Sequence, residues 1–487
     1  MDNWNWDIRN LDYWQRTVER CRQRRLVLPT FQQLKSPHTI PAQIQKQLAA
    51  IGMDELHPLN LFRINWCNDP IGGGIGEINY LEIPSKLTGV EARIVGLVGK
   101  HFPTGAHKVG ATYGCLVPYL VSGRFDPDYH KAVWPSTGNY CRGGVFNSNL
   151  LSVHSVAILP EQMSQERFDW LRQMGAEVFA TPGCESNVKE IYDKCHELEA
   201  TSDQYFIFNQ FEQFGNAVWH YEVSGSTIER LFEQIKNRDD QVRGFVSATG
   251  SAGTIAAGDY LRKKFPWIKV LAAEALQCPT LYLNGFGGHR IEGIGDKHIP
   301  WIHNIKNLDL VCAIDDEQPL RLLRLFNDPA GWEFLRTLGV TESLLSQLPL
   351  LGISSLCNLL SAIKLAKYFE WGPHDVIFTI FTDSVELYRS RLREMDVTYG
   401  PYTIQQAAID WHVSMKNQGI DFIEELSYYG KKSIHNLKYF TWVEQQGKDV
   451  DELNAQWIDE SYWEQRLTSA PVWDRLIERF NQAVGLT

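Results

Sequence analysis

The fold is decided by residues 244–265, GFVSATGSAGTIAAGDYLRKKF. This stretch starts as a short apolar run, passes through a glycine-rich turn and continues with the apolar and polar spacing of a helix. A strand that leads through such a turn into a helix is typical of a βαβ unit with parallel strands. Backbone N–H groups in a turn that opens a helix form a cradle for an anion, so GSAGT at 250–254 is a candidate phosphate-binding loop.

The same strand-to-helix pattern recurs on both sides of this stretch. IKVLAAEA at 268–275 follows it, DVIFTIFTDS at 375–384 leads into VELYRSRLREM, and VHSVAILP at 153–160 leads into QERFDWLRQMGAEVFATP. We therefore predict a layered α/β fold of two domains with mostly parallel sheets flanked by helices. Residues 396–487 have few strand-like runs, which predicts a helical extension. Its tryptophans are expected to cover a core or a subunit interface: Trp411, Trp442, Trp457, Trp463 and Trp473.

Composition and charge limit the possible partners. The chain has 487 residues, of which 44% are hydrophobic and 22% charged, and this is ordinary for a globular protein of two or three domains. The net charge is −11, from 47 basic and 58 acidic residues. Because a nucleic-acid surface needs clustered Lys and Arg, this balance argues against a nucleic-acid partner.

Cysteine and histidine usage bears on the compartment and on metals. The nine cysteines form no CxxC pair, so we expect free thiols in a reducing compartment. The first residues, MDNWNWDIRN, lack a basic region followed by an apolar run, and no run of about 18 apolar residues occurs. We therefore expect a soluble cytoplasmic protein without membrane contact. The 14 histidines show no HExxH or paired Cys/His spacing and no GxSxG elbow is present, so we expect neither a metal site nor a serine hydrolase.

Two further segments carry chemistry. PTGAHKVGATYG at 103–114 places Lys108 between small residues, which leaves room for a ring system close to the amine, as a Schiff-base lysine requires. PSTGNYCRGG at 135–144 offers hydroxyl, glycine and amide groups that can bind a carboxylate. By itself, the first segment is also compatible with a solvated lysine on the surface, and the second with an ordinary turn. No Lys-Ser or Lys-Thr pair follows in GSAGT, so that loop is not a P-loop.

Taken in order, the three segments resemble those of the fold-type-II pyridoxal phosphate (PLP) enzymes, the family of cysteine synthase, cystathionine β-synthase and tryptophan synthase β. AHK at 106–108 is similar to the cofactor-lysine motif, STGN at 136–139 to the asparagine loop, and GSAGT to the phosphate loop, with Ala252 where a glycine is usual. Further similar segments are FNQFEQFGNAVWHYEVSGSTI (208–228), RIEGIGDKHIP (290–300), GISS (352–355) and FTDS (381–384). The resemblance extends from about residue 60 to about residue 395.

The resemblance implies a domain organisation. Residues 1–60 would be an N-terminal helical or irregular segment. Residues 61–100 and 220–395 would form a large PLP-binding α/β domain, and residues 101–219 a small α/β domain that carries the lysine and asparagine loops. Residues 396–487 would be the aromatic-rich helical extension.

The resemblance also implies a role for each matched residue. Lys108 would bind the cofactor and act as the catalytic base, and Asn139 would donate to the phenolic oxygen of the cofactor. His107 would contact the phosphate, with a packed core position as its alternative. The phosphate loop would consist of Gly250, Ser251, Ala252, Gly253 and Thr254. The substrate would be bound by Ser136, Thr137, Gly138, Gln210 and Gly293.

Ser384 would face the pyridine nitrogen of the cofactor. A neutral hydroxyl cannot hold that nitrogen protonated as a carboxylate can, which favours loss of a β leaving group over transamination. A shift of one residue would place Asp383 there instead, and as a helix N-cap Ser384 would have a structural role. Tyr140 departs from the family pattern, because a small hydroxyl residue usually follows the asparagine.

The function implied by the resemblance is β-elimination or β-replacement on a cysteine- or serine-type amino acid through an aminoacrylate intermediate. Such an enzyme would be a lyase or transferase of cysteine metabolism that acts as a homodimer, with a thiol or sulfide as the second substrate of a replacement. A threonine-synthase-like or serine/threonine dehydratase-like reaction is the alternative within the family. A non-catalytic binding or regulatory homologue is the alternative from another class. The absence of the glutamate found in tryptophan synthase β argues against condensation with indole.

Overall fold

The computed structural model describes residues 4, 6–136, 138–184, 187–295 and 297–486. These residues form two sheets. Their strands are β1 (Tyr80–Ile83), β2 (Arg93–Val98), β3 (Lys131–Pro135), β4 (His154–Pro160), β5 (Glu177–Thr181), β6 (Tyr205–Ile207), β7 (Gln241–Ala248), β8 (Lys269–Ala275), β9 (Leu310–Ile314), β10 (Asp375–Phe381) and β11 (Ile423–Glu425).

The strand order of the larger sheet is β1-β2-β10-β7-β8-β9-β11, and that of the smaller sheet is β5-β4-β3-β6. All pairs of the smaller sheet are parallel. In the larger sheet, β2, β10, β7, β8 and β9 are parallel, while β1 and β11 are antiparallel at the two edges. The predicted α/β fold with mostly parallel sheets is confirmed.

Helices pack around both sheets. Before the first strand lie α1 (Leu11–Gln23), α2 (Phe31–Lys35) and α3 (Ala42–Leu48), followed by α4 (Ser85–Thr88) between β1 and β2. Around the smaller sheet lie α5 (Lys108–Val121), α6 (Asn139–Leu150), α7 (Gln165–Gln173), α8 (Val188–Thr201) and α9 (Phe214–Trp219). Next come α10 (Ser226–Ile235), α11 (Ala256–Lys264), α12 (Thr280–Leu283), α13 (Glu317–Asn327), α14 (Pro329–Thr337), α15 (Glu342–Leu345), α16 (Ile353–Tyr368) and α17 (Arg389–Tyr399). The extension contains α18 (Ile404–Trp411), α19 (Tyr428–Asn436), α20 (Val450–Ile458), α21 (Tyr462–Leu467) and α22 (Ala470–Val484).

The inner strands of the larger sheet are buried along nearly their whole length. All residues of β9 are buried, and in β8 and β10 only the first residue is partly exposed. Parallel strands covered by helices on both faces need continuous apolar runs, which explains why these segments do not alternate between apolar and polar residues.

The topology brings three loops together. The strands β7 and β10 of the larger sheet and β3 of the smaller one end immediately before residues 249–254, 382–384 and 136–139. Ligands of open α/β sheets bind beyond the carboxyl ends of the strands, so these loops define the region of interest.

The extension is mainly helical, as predicted, but it also contributes a strand. β11 pairs with β9 and completes an edge of the larger sheet. Strands β3 to β6 lie within residues 101–219, and the other strands before residue 396 lie within 61–100 and 220–395. The precise domain boundaries stay a prediction.

The extension also forms hydrogen bonds with residues 299–303, at the end of the segment RIEGIGDKHIP (290–300) and just after it. Its five tryptophans named above are all buried. The indole N–H of Trp442 donates to the carbonyl oxygen of Ile299 (2.8 Å). Nζ of Lys438 donates to the carbonyl oxygens of Trp301 (2.9 Å) and His303 (2.8 Å). The tryptophans therefore cover a core within this chain.

All nine cysteines lie in the described residues, and none of them forms a disulfide bond. Within that part of the chain, no single helix is long and apolar enough to cross a membrane. The segments Glu342–Leu350 and Ile353–Tyr368 pass the same test only as a pair, which is bent by 115°.

We expect Trp442→Ala to lower the free energy of unfolding by about 3–5 kcal/mol, because it removes a fully buried indole and leaves a cavity. The matched control is Trp267→Ala, since Trp267 is 81% exposed and its removal should change stability by no more than about 0.5 kcal/mol. Urea unfolding followed by tryptophan fluorescence and circular dichroism measures both. Equal losses in the two variants would contradict the role of Trp442 in fastening the extension.

Candidate active site

Lys108 is the first residue of α5, and its amine is held by two side chains. Nζ donates to Oγ of Ser251 (2.9 Å) and to Oε1 of Gln210 (3.2 Å). Packing explains one of the small residues that follow the lysine, because a Cβ added at Gly110 would lie 2.2 Å from the ring of Trp219. This close approach of α5 to α9 places the amine opposite the loop after β7.

The glycine loop at residues 250–254 connects β7 to the segment that opens α11. Ala252 has a φ of 59°, a left-handed conformation that is strained for alanine and easy for glycine. Nδ2 of Asn216 donates to Oγ of Ser251 (3.0 Å). A Cβ at Gly253 would lie 2.0 Å from Oδ1 of the same asparagine. Asn216 therefore supports the loop from α9, and the loop lies where a helix start favours an anion.

The asparagine loop follows β3, and α6 begins at Asn139. Nδ2 of Asn139 donates to Oδ2 of Asp383 (2.7 Å). Gly138 has a φ of 151°, and a Cβ there would lie 2.0 Å from Nη1 of Arg167. Thr137, which was predicted to bind substrate, lies outside the described residues.

One cavity brings most of the predicted residues together. Those that line it are His107, Lys108, Ser136, Asn139, Gln210, Gly250, Ser251, Ala252, Thr254 and Gly293. Three predicted residues are not part of its described lining: Gly138, Gly253 and Ser384. The first two instead pack against Arg167 and Asn216, as described above.

The segment after β10 differs in detail from the prediction. Thr382 lines the cavity, and its Oγ1 lies 3.3 Å from Nε2 of His107. Asp383 is directed toward Asn139 and also accepts from the hydroxyl of Tyr388 (2.7 Å). Ser384 is buried, its Oγ has no hydrogen-bond partner among the described residues, and it does not cap the helical turn that follows. Its contact with the pyridine nitrogen stays a prediction.

His107 is both packed in the core and part of the cavity wall. Its ring lies 4.8 Å from that of His220 and 5.7 Å from that of Trp66. Burial, assisted by the positive charge of Lys108, lowers the pKa of His107 well below its usual value. The imidazole is therefore neutral at physiological pH, and its contact with a phosphate stays a prediction.

Several cavity residues were not predicted: Tyr140, Phe211, Ala248, Ile294, Asn358, Ile380 and Thr382. Asn358 has a structural task, because its Oδ1 accepts from the N–H of Ala248 (2.6 Å) and its Nδ2 donates to the carbonyl of Ile380 (2.8 Å). It thereby joins the ends of β7 and β10. In the sequence, Asn358 could have been noticed only because it lies just after GISS. Asn216 could have been noticed only because it lies in the similar stretch 208–228.

This donor set fits a cofactor that carries an aldehyde and a phosphate. A primary amine and a glycine loop before a helix face the same cavity. Nδ1 of His107 and Oδ1 of Asn139 are buried and have no hydrogen-bond partner among the described residues. Lys108 and residues 250–254 are the groups that would hold PLP.

Comparisons with known proteins agree with this geometry. Residues 78–383 match the family model described as pyridoxal-phosphate dependent enzyme. The cysteine synthase of Staphylococcus aureus is 30% identical over 259 residues, which cover 53% of this chain and 75% of that protein. The probable cysteine synthase of Bacillus subtilis is 28% identical over 289 residues, which cover 59% of this chain and 85% of that protein.

Solved structures show the same fold. A hydrogen sulfide-producing enzyme from Fusobacterium nucleatum has a TM-score of 0.55 and 22% identity, and the match covers 67% of this chain and 98% of that one. An O-acetylserine dependent cystathionine beta-synthase from Helicobacter pylori has a TM-score of 0.53 and 22% identity, with 64% and 94% covered. The family model spans more than half of the chain, including the lysine, the asparagine loop and the glycine loop. The chain therefore belongs to the family of pyridoxal-phosphate dependent enzymes, and the predicted cofactor, PLP, is confirmed.

Proposed function

We propose that this enzyme catalyses β-elimination or β-replacement on a cysteine- or serine-type amino acid. The observation that carries the proposal is the convergence of the Lys108 amine, the glycine loop and the Asn139 loop on one cavity. Bound PLP would serve as the electron sink for the carbanion formed at the α-carbon of the substrate.

Lys108 is the proposed catalytic base. Because Ser251 and Gln210 hold its Nζ at 2.9 Å and 3.2 Å, the amine is kept within the cavity and can move a proton to or from the α-carbon. Proton transfer by a positioned side chain contributes roughly 10²–10⁴-fold to a rate.

The substrate carboxylate is proposed to bind at the loop before α6. The backbone N–H groups at the start of this helix and the positive end of its dipole favour an anion there. Ser136 and Asn139 line the cavity from this loop, and Gln210 and Gly293 line it from other segments. The rings of Tyr140 and Phe211 also line the cavity.

The names of similar proteins support a sulfur-containing reaction partner. Two relatives are named cysteine synthases, and a structural neighbour is named a hydrogen sulfide-producing enzyme. We therefore propose a thiol or sulfide as the second substrate, or as the product in the direction of elimination. Assembly as a homodimer stays a prediction.

A direct assay tests the reaction. The holoenzyme should make cysteine and acetate from O-acetylserine and sulfide, or release sulfide, pyruvate and ammonia from cysteine and water. Lys108→Ala should lower either rate by at least about 10²-fold. Lys100→Ala is the matched control, because this nearby lysine pairs with Glu386 and does not line the described cavity, so its rate should remain near that of the wild type. Turnover of threonine to 2-oxobutyrate with no reaction of the three-carbon substrates would overturn the proposal.

Ala252 allows a test of the glycine loop. Ala252→Val places a β-branched residue in a left-handed conformation beside the cavity, so we expect the dissociation constant of PLP to rise at least about tenfold, equal to roughly 1.4 kcal/mol. Ala252→Gly relieves the backbone and should bind PLP as tightly as the wild type. Titration of apoprotein with PLP, followed by protein fluorescence, measures both. Equal affinity of the valine variant would argue against a phosphate at this loop.

Substitutions can distinguish the roles of the two hydroxyl residues after β10, Thr382 and Ser384. If Ser384 contacts the pyridine nitrogen, Ser384→Ala should change the absorption spectrum of bound PLP and lower kcat, while Thr382→Ala should have the smaller effect. The opposite order would assign the contact to Thr382, whose side chain lines the cavity. Thermal unfolding of the two apoproteins checks that both variants are folded.

A further inference from the structure

Asp383 is a fully buried carboxylate next to the cofactor cavity. Its exposed fraction is 0%, and it receives two hydrogen bonds on the same oxygen, Oδ2. One comes from Nδ2 of Asn139 (2.7 Å) and the other from the hydroxyl of Tyr388 (2.7 Å). Asn139 lines the cavity and Asp383 does not, so this hydrogen bond connects the side chain of Asp383 to the cavity lining.

The surroundings of Asp383 act on its pKa in opposite directions, and burial is the largest influence. Burial raises the pKa of this carboxyl, whereas the hydrogen bonds from Tyr388 and Asn139 and the guanidinium of Arg167 oppose the shift. Arg167 is itself 1% exposed and is held by Glu292 (3.3 Å). Both donors bond Oδ2, so this oxygen of Asp383 is the acceptor that faces Asn139.

The carboxylate dictates which way the carboxamide of Asn139 faces. The two hydrogens of an amide NH2 group lie in one plane, so fixing one of them on Asp383 also fixes the direction of the other. Turning the amide over would place Oδ1 against the carboxylate, and two acceptors would then face each other. A buried polar group that loses its hydrogen bond destabilises the protein, and more so when the group is charged.

The packing leaves the carboxylate little freedom. A Cβ added at Gly352 would lie 1.9 Å from Oδ1 of Asp383 and 2.8 Å from the ring of Tyr388. The backbone of Gly352 has a φ of −78°, which any residue can adopt. A glycine is therefore needed here because the aspartate lies so close, and not because of the backbone conformation.

We propose that Asp383 is a positioning residue that orients the carboxamide of Asn139, so that an N–H of Asn139, and not its carbonyl oxygen, faces an acceptor on the cofactor. This inference rests on the proposed contact between Asn139 and the phenolic oxygen of PLP. A phenolic oxygen is an electron-rich acceptor, so a carbonyl oxygen turned toward it would repel it, and an N–H group would stabilise it.

The test is a double-mutant cycle that joins Asn139→Ala and Asp383→Asn. In Asp383→Asn the new amide can donate to Oδ1 of Asn139, so the orientation of that side chain is no longer dictated. We expect the dissociation constant of PLP to rise about tenfold and the visible absorption band of bound PLP to weaken relative to the near-ultraviolet band. In the Asn139→Ala background, Asp383→Asn should change neither quantity further.

The control is Asp410→Asn. Asp410 is another buried carboxylate that accepts from a tyrosine and an amide, Tyr402 (2.8 Å) and Gln406 (2.8 Å), and it lies in α18, away from the cavity lining. Its substitution should leave the PLP spectrum and affinity unchanged. Thermal unfolding of each apoprotein shows that the variants are folded, and if Asp383→Asn does not fold, Gly352→Ala displaces the same carboxylate in the same two backgrounds.

The outcomes separate the inference from the proposal on which it rests. If Asn139→Ala alters neither spectrum nor affinity, the proposed contact of Asn139 with the cofactor is wrong. If it alters both but Asp383→Asn does not, the contact stands and the positioning role is wrong. Equal effects of Asp383→Asn in both backgrounds would also overturn the positioning role, because the aspartate would then act by another route.

Discussion

The hydrogen bond from Nζ of Lys108 to Oγ of Ser251 is the interaction on which the site depends. It joins the first residue of α5, beside the smaller sheet, to the glycine loop that follows β7 of the larger sheet. The amine that would bind PLP and the loop that would hold its phosphate are thus set at a fixed separation. Gly110 makes this geometry possible, since any larger residue would push α5 away from Trp219.

Buried polar side chains hold the three loops around this bond. Asn216 binds the glycine loop, Asn358 joins the ends of β7 and β10, and Asp383 binds the asparagine loop. Each uses a side chain to satisfy backbone or polar groups that emerge where the strands end, and buried polar groups without such partners would be costly. The shape of the cavity therefore depends on the hydrogen bonds of these supporting side chains as well as on the residues that line it.

Much of the site could be predicted because motif residues lie next to each other in the chain. AHK, STGN and GSAGT each carry several functional groups within a few residues, and ten of the predicted residues line one cavity. Asn216, Asn358 and Thr382 could not be singled out, because their tasks depend on partners far away in the sequence. The same reason applies to β11, whose short segment becomes a strand only because the edge of β9 is available to it.

The amino-acid sequence by itself determined the class of fold and, through the resemblance of its motifs, the family and the cofactor. Continuous apolar runs before glycine turns and helical patterns specify parallel sheets, and AHK, STGN and GSAGT, in that order, carry the resemblance to the PLP family. Only the tertiary structure decided which side chain after β10 lines the cavity, which acid faces Asn139 and how the extension packs. Those outcomes depend on distances between segments that are far apart in the chain, and such distances are set by packing and burial, not by local sequence pattern.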